Sequence, residues 1–111
     1  MIAALYIRVS TTEQAQHGYS LEAQESLLRS YADQHGMTVF DLYADRGKSA
    51  NKALNKRTEL LRMLRDAEAH RFDCIIFKDI TRWSRSSKQI WAVQDRIDKA
   101  GVYWIAVEQP Y

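Results

Sequence analysis

The sequence predicts an α/β domain built on a mainly parallel central sheet with helices on both faces. Four short runs rich in β-branched and aromatic residues, amphipathic stretches of helical period between them, and the absence of a tight hairpin signal predict it. With 111 residues, 46% of them hydrophobic, the chain suffices for one core and is too short for two ordinary domains.

The strand-like runs lie at about 2–9, 37–43, 73–78 and 102–107. Between the first two, a helix is expected to start near Ser20, an N-cap residue followed by Glu22 and Glu25. Its apolar stripe runs through Leu21, Leu28 and Tyr31, and Gly36 ends it. Gln24 falls on the same stripe, so it either finds a partner, borders a polar site, or meets water at the helix edge. A second helix, about 58–69, presents Leu60, Leu61, Leu64 and Ala67. A third, ending near Ala100-Gly101, presents Ile90, Val93 and Ile97. The apolar run Cys74 to Phe77 suits a strand buried on both faces, and strands alternating with helices favour parallel pairing. The polar segment from Gly47 to Asn55, with Lys48, Ser49, Asn51 and Lys52, is expected to be mobile.

Composition narrows the function classes. No apolar run approaches the roughly 18 residues of a membrane span, and the opening residues reach Arg8 without a basic leader, which points to a cytoplasmic protein. The single cysteine, Cys74, excludes an internal disulfide and reads as a small buried thiol. His17, His35 and His70 lack metal-ligand spacing, so neither a metal nor another cofactor is expected. The net charge of +2 is unevenly distributed: residues 45–88 hold twelve Lys/Arg against six Asp/Glu, and the remainder holds four against eight. Such a block fits either a solvated face or a polyanion such as DNA.

In open parallel sheets, ligands gather at the carboxyl ends of the strands. Ser10 lies at one such end, and Arg82 and Arg85 follow another. Within Arg8-Val9-Ser10 the two-residue period of a strand puts the Arg8 and Ser10 side chains on one side. Ser10-Thr11-Thr12-Glu13 equally fits a helix capping box. In Asp79-Ile80-Thr81-Arg82-Trp83-Ser84-Arg85, the two arginines at i,i+3 share a face if the segment is helical. Forked, permanently charged guanidinium groups suit a phosphodiester whose oxygens gain charge as a nucleophile enters. With no histidine near either cluster, a Ser-His-Asp hydrolase is disfavoured.

Tyr6-Ile7-Arg8-Val9-Ser10-Thr11-Thr12-Glu13-Gln14 resembles the opening motif of serine recombinases, the superfamily of resolvases, invertases and large integrases. The similarity continues through Tyr19-Ser20-Leu21-Glu22-Ala23-Gln24 and Asp45-Arg46-Gly47-Lys48-Ser49 with Arg57, then through Arg82-Trp83-Ser84-Arg85. The resemblance implies a resolvase-like catalytic domain that performs site-specific recombination of double-stranded DNA through a 5′-phosphoserine intermediate, without metal or ATP. It implies Ser10 as nucleophile and Arg8, Arg57, Arg82 and Arg85 as phosphate-binding and activating groups. Gln14, Gln24, Ser49, Asp79 and Thr81 match residues near the substrate.

Three departures stand out. Thr81 occupies the position before the first arginine where the family commonly has aspartate, with Asp79 two residues earlier; Ala50 stands where glycine often follows the serine; Trp83 replaces the usual leucine. The family continues with a long helix for dimer and tetramer contacts and a DNA-binding region, so residues 1–111 are expected to be a catalytic fragment, bacterial or phage-encoded. Two other classes compete: a catalytically silent recombinase-like domain that associates with DNA, and a small doubly wound module whose serine and arginines hold a phosphate. The second lacks a glycine-rich phosphate loop.

Overall fold

The computed structural model describes residues 1–9, 21–46, 58–78 and 87–108. They form β1 (Ile2–Val9), α1 (Leu21–Gln34), β2 (Thr38–Arg46), α2 (Thr58–Glu68), β3 (Cys74–Phe77), α3 (Ser87–Lys99) and β4 (Tyr103–Ala106), in the alternation that the sequence predicts. The strands pair in the order β2-β1-β3-β4, and every ladder is parallel. No described helix is long and apolar enough to cross a membrane.

The pleat sorts the strand residues between two cores. Ala3, Leu5 and Ile7 of β1, with Cys74 and Ile76 of β3, pack under Leu21, Leu28 and Ala32 of α1. Ala4, Tyr6, Tyr43, Ile75, Phe77 and Ala106 face the other way and meet Leu60, Met63, Leu64 and Ala67 of α2 and Val93 and Ile97 of α3. Cys74 to Phe77 is buried throughout, because each face of β3 belongs to a different core. Tyr31, expected on the α1 stripe, is partly buried at its margin, and Ala32 takes the central place. The Ile90 side chain and the segment 47–55 lie outside the described residues.

Helix-to-strand connections take residues 35–37, 69–73 and 100–102, whereas all but Lys78 of the residues between each strand and the following helix lie outside the described ones. The three helix-to-strand connections close the same way. Met37 N–H donates to Ala32 C=O, Arg71 N–H to Asp66 C=O and Val102 N–H to Ile97 C=O, the six-to-one bond of a Schellman cap. The preceding residue is left-handed each time: Gly36 at φ 66°, His70 at φ 59° and Gly101 at φ 74°.

Strand β2 extends to Arg46, three residues beyond the apolar run that predicts it. Its register against β1 steps by one residue between Ala3 and Ala4, leaving Phe40 without a partner. That bulge matters downstream. It makes Arg8 the partner of Asp45; with unbroken register Ala44 would stand there.

Candidate active site at the carboxyl ends of the strands

Arg8 is the penultimate residue of β1, on the pleat face of Ala4 and Tyr6, and it is completely buried. A guanidinium taken out of water is costly to desolvate, so its placement is a deliberate feature of the fold. Across the ladder, Asp45 is 7% exposed and organises its surroundings with both oxygens. Oδ2 accepts from the Tyr6 hydroxyl at 2.9 Å and from Leu60 N–H at 3.0 Å, and Oδ1 accepts from Glu59 N–H at 3.1 Å.

Those two amides belong to the first turn of α2, where backbone donors lack helical partners and the helix dipole favours a negative charge. Asp45 thus caps α2 from a neighbouring strand. It joins β1, β2 and the start of α2 at one point, and Arg57 is the residue covalently preceding that start. The motif Asp45-Arg46-Gly47-Lys48-Ser49 attracts notice in sequence for its later residues; the structure adds the carboxylate's capping role, which no local spacing reveals.

The other edge of β1 is held differently. Register with β3 covers Ala3–Leu5 only. Ile2 C=O accepts from Asp73 N–H of the β3 side, whereas Met1 C=O accepts from Thr38 N–H of the β2 side, so even-numbered residues of β1 turn their main chain toward β3. At Arg8 it is Gln24 that meets these groups: its Oε1 accepts from Arg8 N–H at 3.3 Å and its Nε2 donates to Arg8 C=O at 3.1 Å. Gln24 is 1% exposed, so of the alternatives open in sequence, the buried, partnered glutamine is the one found.

At the end of β3, Lys78 lies 3.5 Å from Glu108, and its C=O accepts from Glu108 N–H at 2.8 Å. This fixes the chain that leads into Asp79. Ser10, Gln14, Ser49, Arg57, Asp79, Thr81, Arg82 and Arg85 lie outside the described residues. Of the candidate site residues, the structure therefore places Arg8 and Gln24 and joins them directly. His35 and His70 are exposed, and Cys74 is buried, as expected of its apolar run.

A network beside this region involves Arg62 of α2. Its guanidinium lies 2.8 Å from Glu59 and 2.9 Å from Asp41, and covers the Tyr43 ring at 4.2 Å. Hydrogen bonding to Arg62 holds both carboxyls below their ordinary range, against the opposing effect of burial. Burial first, then the hydrogen bond to Asp66, pushes the Tyr43 phenol well above its usual value. These groups buttress β2 against α2.

Residues 3–111 match the family described as Resolvase, N terminal domain. Among solved structures, the N-terminal catalytic domain of TP901-1 integrase is similar over 96% of this chain and 77% of its own, with 31% identity and a TM-score of 0.83. A resolvase family site-specific recombinase from Streptococcus pneumoniae is similar over 97% and 72%, with 29% identity and a TM-score of 0.79. An uncharacterised immunity region protein 3 of Bacillus phage phi105 is 44% identical over 64 residues, which is 58% of this chain and 76% of that protein.

Proposed function

Because this chain belongs to the resolvase N-terminal domain family, with the fold of serine recombinase catalytic domains, we propose that it cleaves and rejoins double-stranded DNA through Ser10. The observation that carries the proposal is the wholly buried Arg8 at the carboxyl end of β1, two residues before that serine. A cation fixed by folding costs no reorganisation when charge develops on a phosphate beside it.

In the proposed reaction, Ser10 Oγ attacks phosphorus and the bond to the deoxyribose O3′ breaks. The DNA 5′ end is left as a phosphoserine ester; the serine hydroxyl gives up its proton as the new bond forms, and O3′ takes one up as it leaves. Arg8, Arg57, Arg82 and Arg85 bind the non-bridging oxygens and stabilise their growing charge; Asp79 and Thr81 precede the last two in the chain, and Gln14 and Ser49 flank the phosphate. The ester retains roughly the energy of the bond it replaced, so attack by a 3′-hydroxyl reverses the step without an external energy source. Recombination requires paired sites, hence self-association of the acting protein and selection of the sites on DNA.

The test is a DNA duplex carrying the recombination site, labelled at the 3′ end of the cleaved strand. The wild-type protein forms a covalent adduct that survives denaturation, and Ser10→Ala forms none. An adduct persisting in Ser10→Ala would move the nucleophile elsewhere. Replacing Arg8, Arg82 or Arg85 is expected to slow adduct formation by about two to three orders of magnitude, the usual consequence of losing one preorganised donor.

A further inference from the structure

Gln24 lies in the second turn of α1, on the stripe that otherwise carries Leu21, Leu28 and Ala32. An apolar residue there would complete the core, so a buried glutamine requires a specific polar partner. Its carboxamide meets both the N–H and the C=O of one residue, Arg8. A carboxamide presents an acceptor and a donor side by side in one plane, the pair of groups that a neighbouring strand offers to a residue of a parallel ladder. Among the described residues, the β1–β3 register runs from Ala3–Cys74 to Leu5–Ile76.

We infer that Gln24 is a positioning residue, taking at Arg8 the place that β3 takes beside Ala3–Leu5 and fixing the main chain that leads into Ser10, without itself contacting DNA. With β2 on one edge, through the Arg8–Asp45 register, and the Gln24 amide on the other, the Arg8 peptide is held from both sides. The resemblance to serine recombinases implies that Gln24 lies near the substrate; the geometry points to an indirect contribution. Its importance for catalysis rests on the recombinase reading, whereas the clamp has a readout of its own.

That readout is amide hydrogen exchange at Arg8, followed by NMR, with the Ala4 amide as a control inside the β1–β3 register. Gln24→Ala is expected to accelerate exchange at Arg8 by roughly tenfold or more while leaving Ala4 much less affected, as local opening does. Gln24→Glu adds a pH signature. Its neutral acid keeps a donor and an acceptor, whereas its anion keeps acceptors only and sets a negative charge against the Arg8 carbonyl. The ratio of variant to wild-type exchange at Arg8 should therefore approach one near about pH 4 and climb toward pH 7.

Binding of a 30-base-pair duplex of arbitrary sequence should be unchanged in Gln24→Ala, while Ser10-dependent adduct formation slows. Unchanged exchange at Arg8, or equal acceleration at Arg8 and Ala4, overturns the clamp; weakened duplex binding shows that Gln24 touches DNA and overturns its indirect role. A wild-type protein that forms no Ser10 adduct, yet loses Arg8 protection in Gln24→Ala, overturns the recombinase reading and leaves the clamp standing.

Discussion

The Tyr6 hydroxyl donates to Asp45 Oδ2 across the β1–β2 ladder at 2.9 Å, linking residues 39 positions apart in sequence. The same carboxylate caps α2, so its three donors form one cooperative unit. Tyr6→Phe removes one buried hydrogen bond to a charged group and should cost about 1.5 kcal/mol in urea unfolding. Asp45→Asn turns an NH2 toward donors that need an acceptor, and should cost about 3 kcal/mol. If Asp45→Asn costs no more than Tyr6→Phe, the cap on α2 carries no stability.

The Arg62 cluster predicts part of the acid sensitivity. Asp41 and Glu59 have folded pKa values depressed by Arg62, so the stabilisation they bring is complete above the ordinary carboxylate range and is lost as pH falls through their lowered values. Between about pH 5 and pH 3, wild-type Tm should therefore fall more steeply than that of Arg62→Met, which keeps an apolar stem over Tyr43. Solvent reaches these side chains, so the difference in slope should be small. Parallel slopes would refute it.

Cys74 is enclosed in β3, and burial pushes its thiol above the ordinary value. Iodoacetamide at about pH 8 should label the native protein far more slowly than the urea-unfolded chain, because the thiolate is the reactive form. Equal rates would mean that β3 opens readily.

The three Schellman caps allow a matched comparison. Gly101→Ala places a Cβ in open space but in a left-handed conformation, so backbone strain alone should cost about 1 kcal/mol. His70 already bears that strain, and His70→Gly should raise stability by up to about 1 kcal/mol, less the extra freedom gained by the unfolded chain. Thermal unfolding of the two variants checks both signs. A stabilising Gly101→Ala would contradict the account.

The strands and helices are legible in the sequence because each core face repeats at the period of its element. Leu60, Leu64 and Ala67 announce the buried side of α2, and Cys74 to Phe77 announces a strand buried on both faces. The end of β2 is not legible, since Ala44-Asp45-Arg46 reads as the polar start of a loop and an aspartate is unfavourable in a strand until something neutralises it. Its partners, Tyr6 and the α2 amides, are distant in sequence. Arg8 could be assigned to a side of β1 by counting, but not to the interior. Gln24 stands out as polar on an apolar stripe; its task depends on where β3 leaves β1, which no periodicity records.

The capped turns at one end of the sheet bear on how such a domain can vary in length. At the amino ends of β2, β3 and β4, the entering turns have main-chain bonds that span a fixed number of residues, so an insertion there breaks a cap. Ser10, Ser49, Arg57, Arg82 and Arg85 lie instead in the sequence between a strand and the following helix, in 10–20, 47–57 and 78–86. Lengthening or exchanging these segments leaves the capped turns untouched. The residues that the sequence singles out thus lie apart from the turns that must keep their residue count.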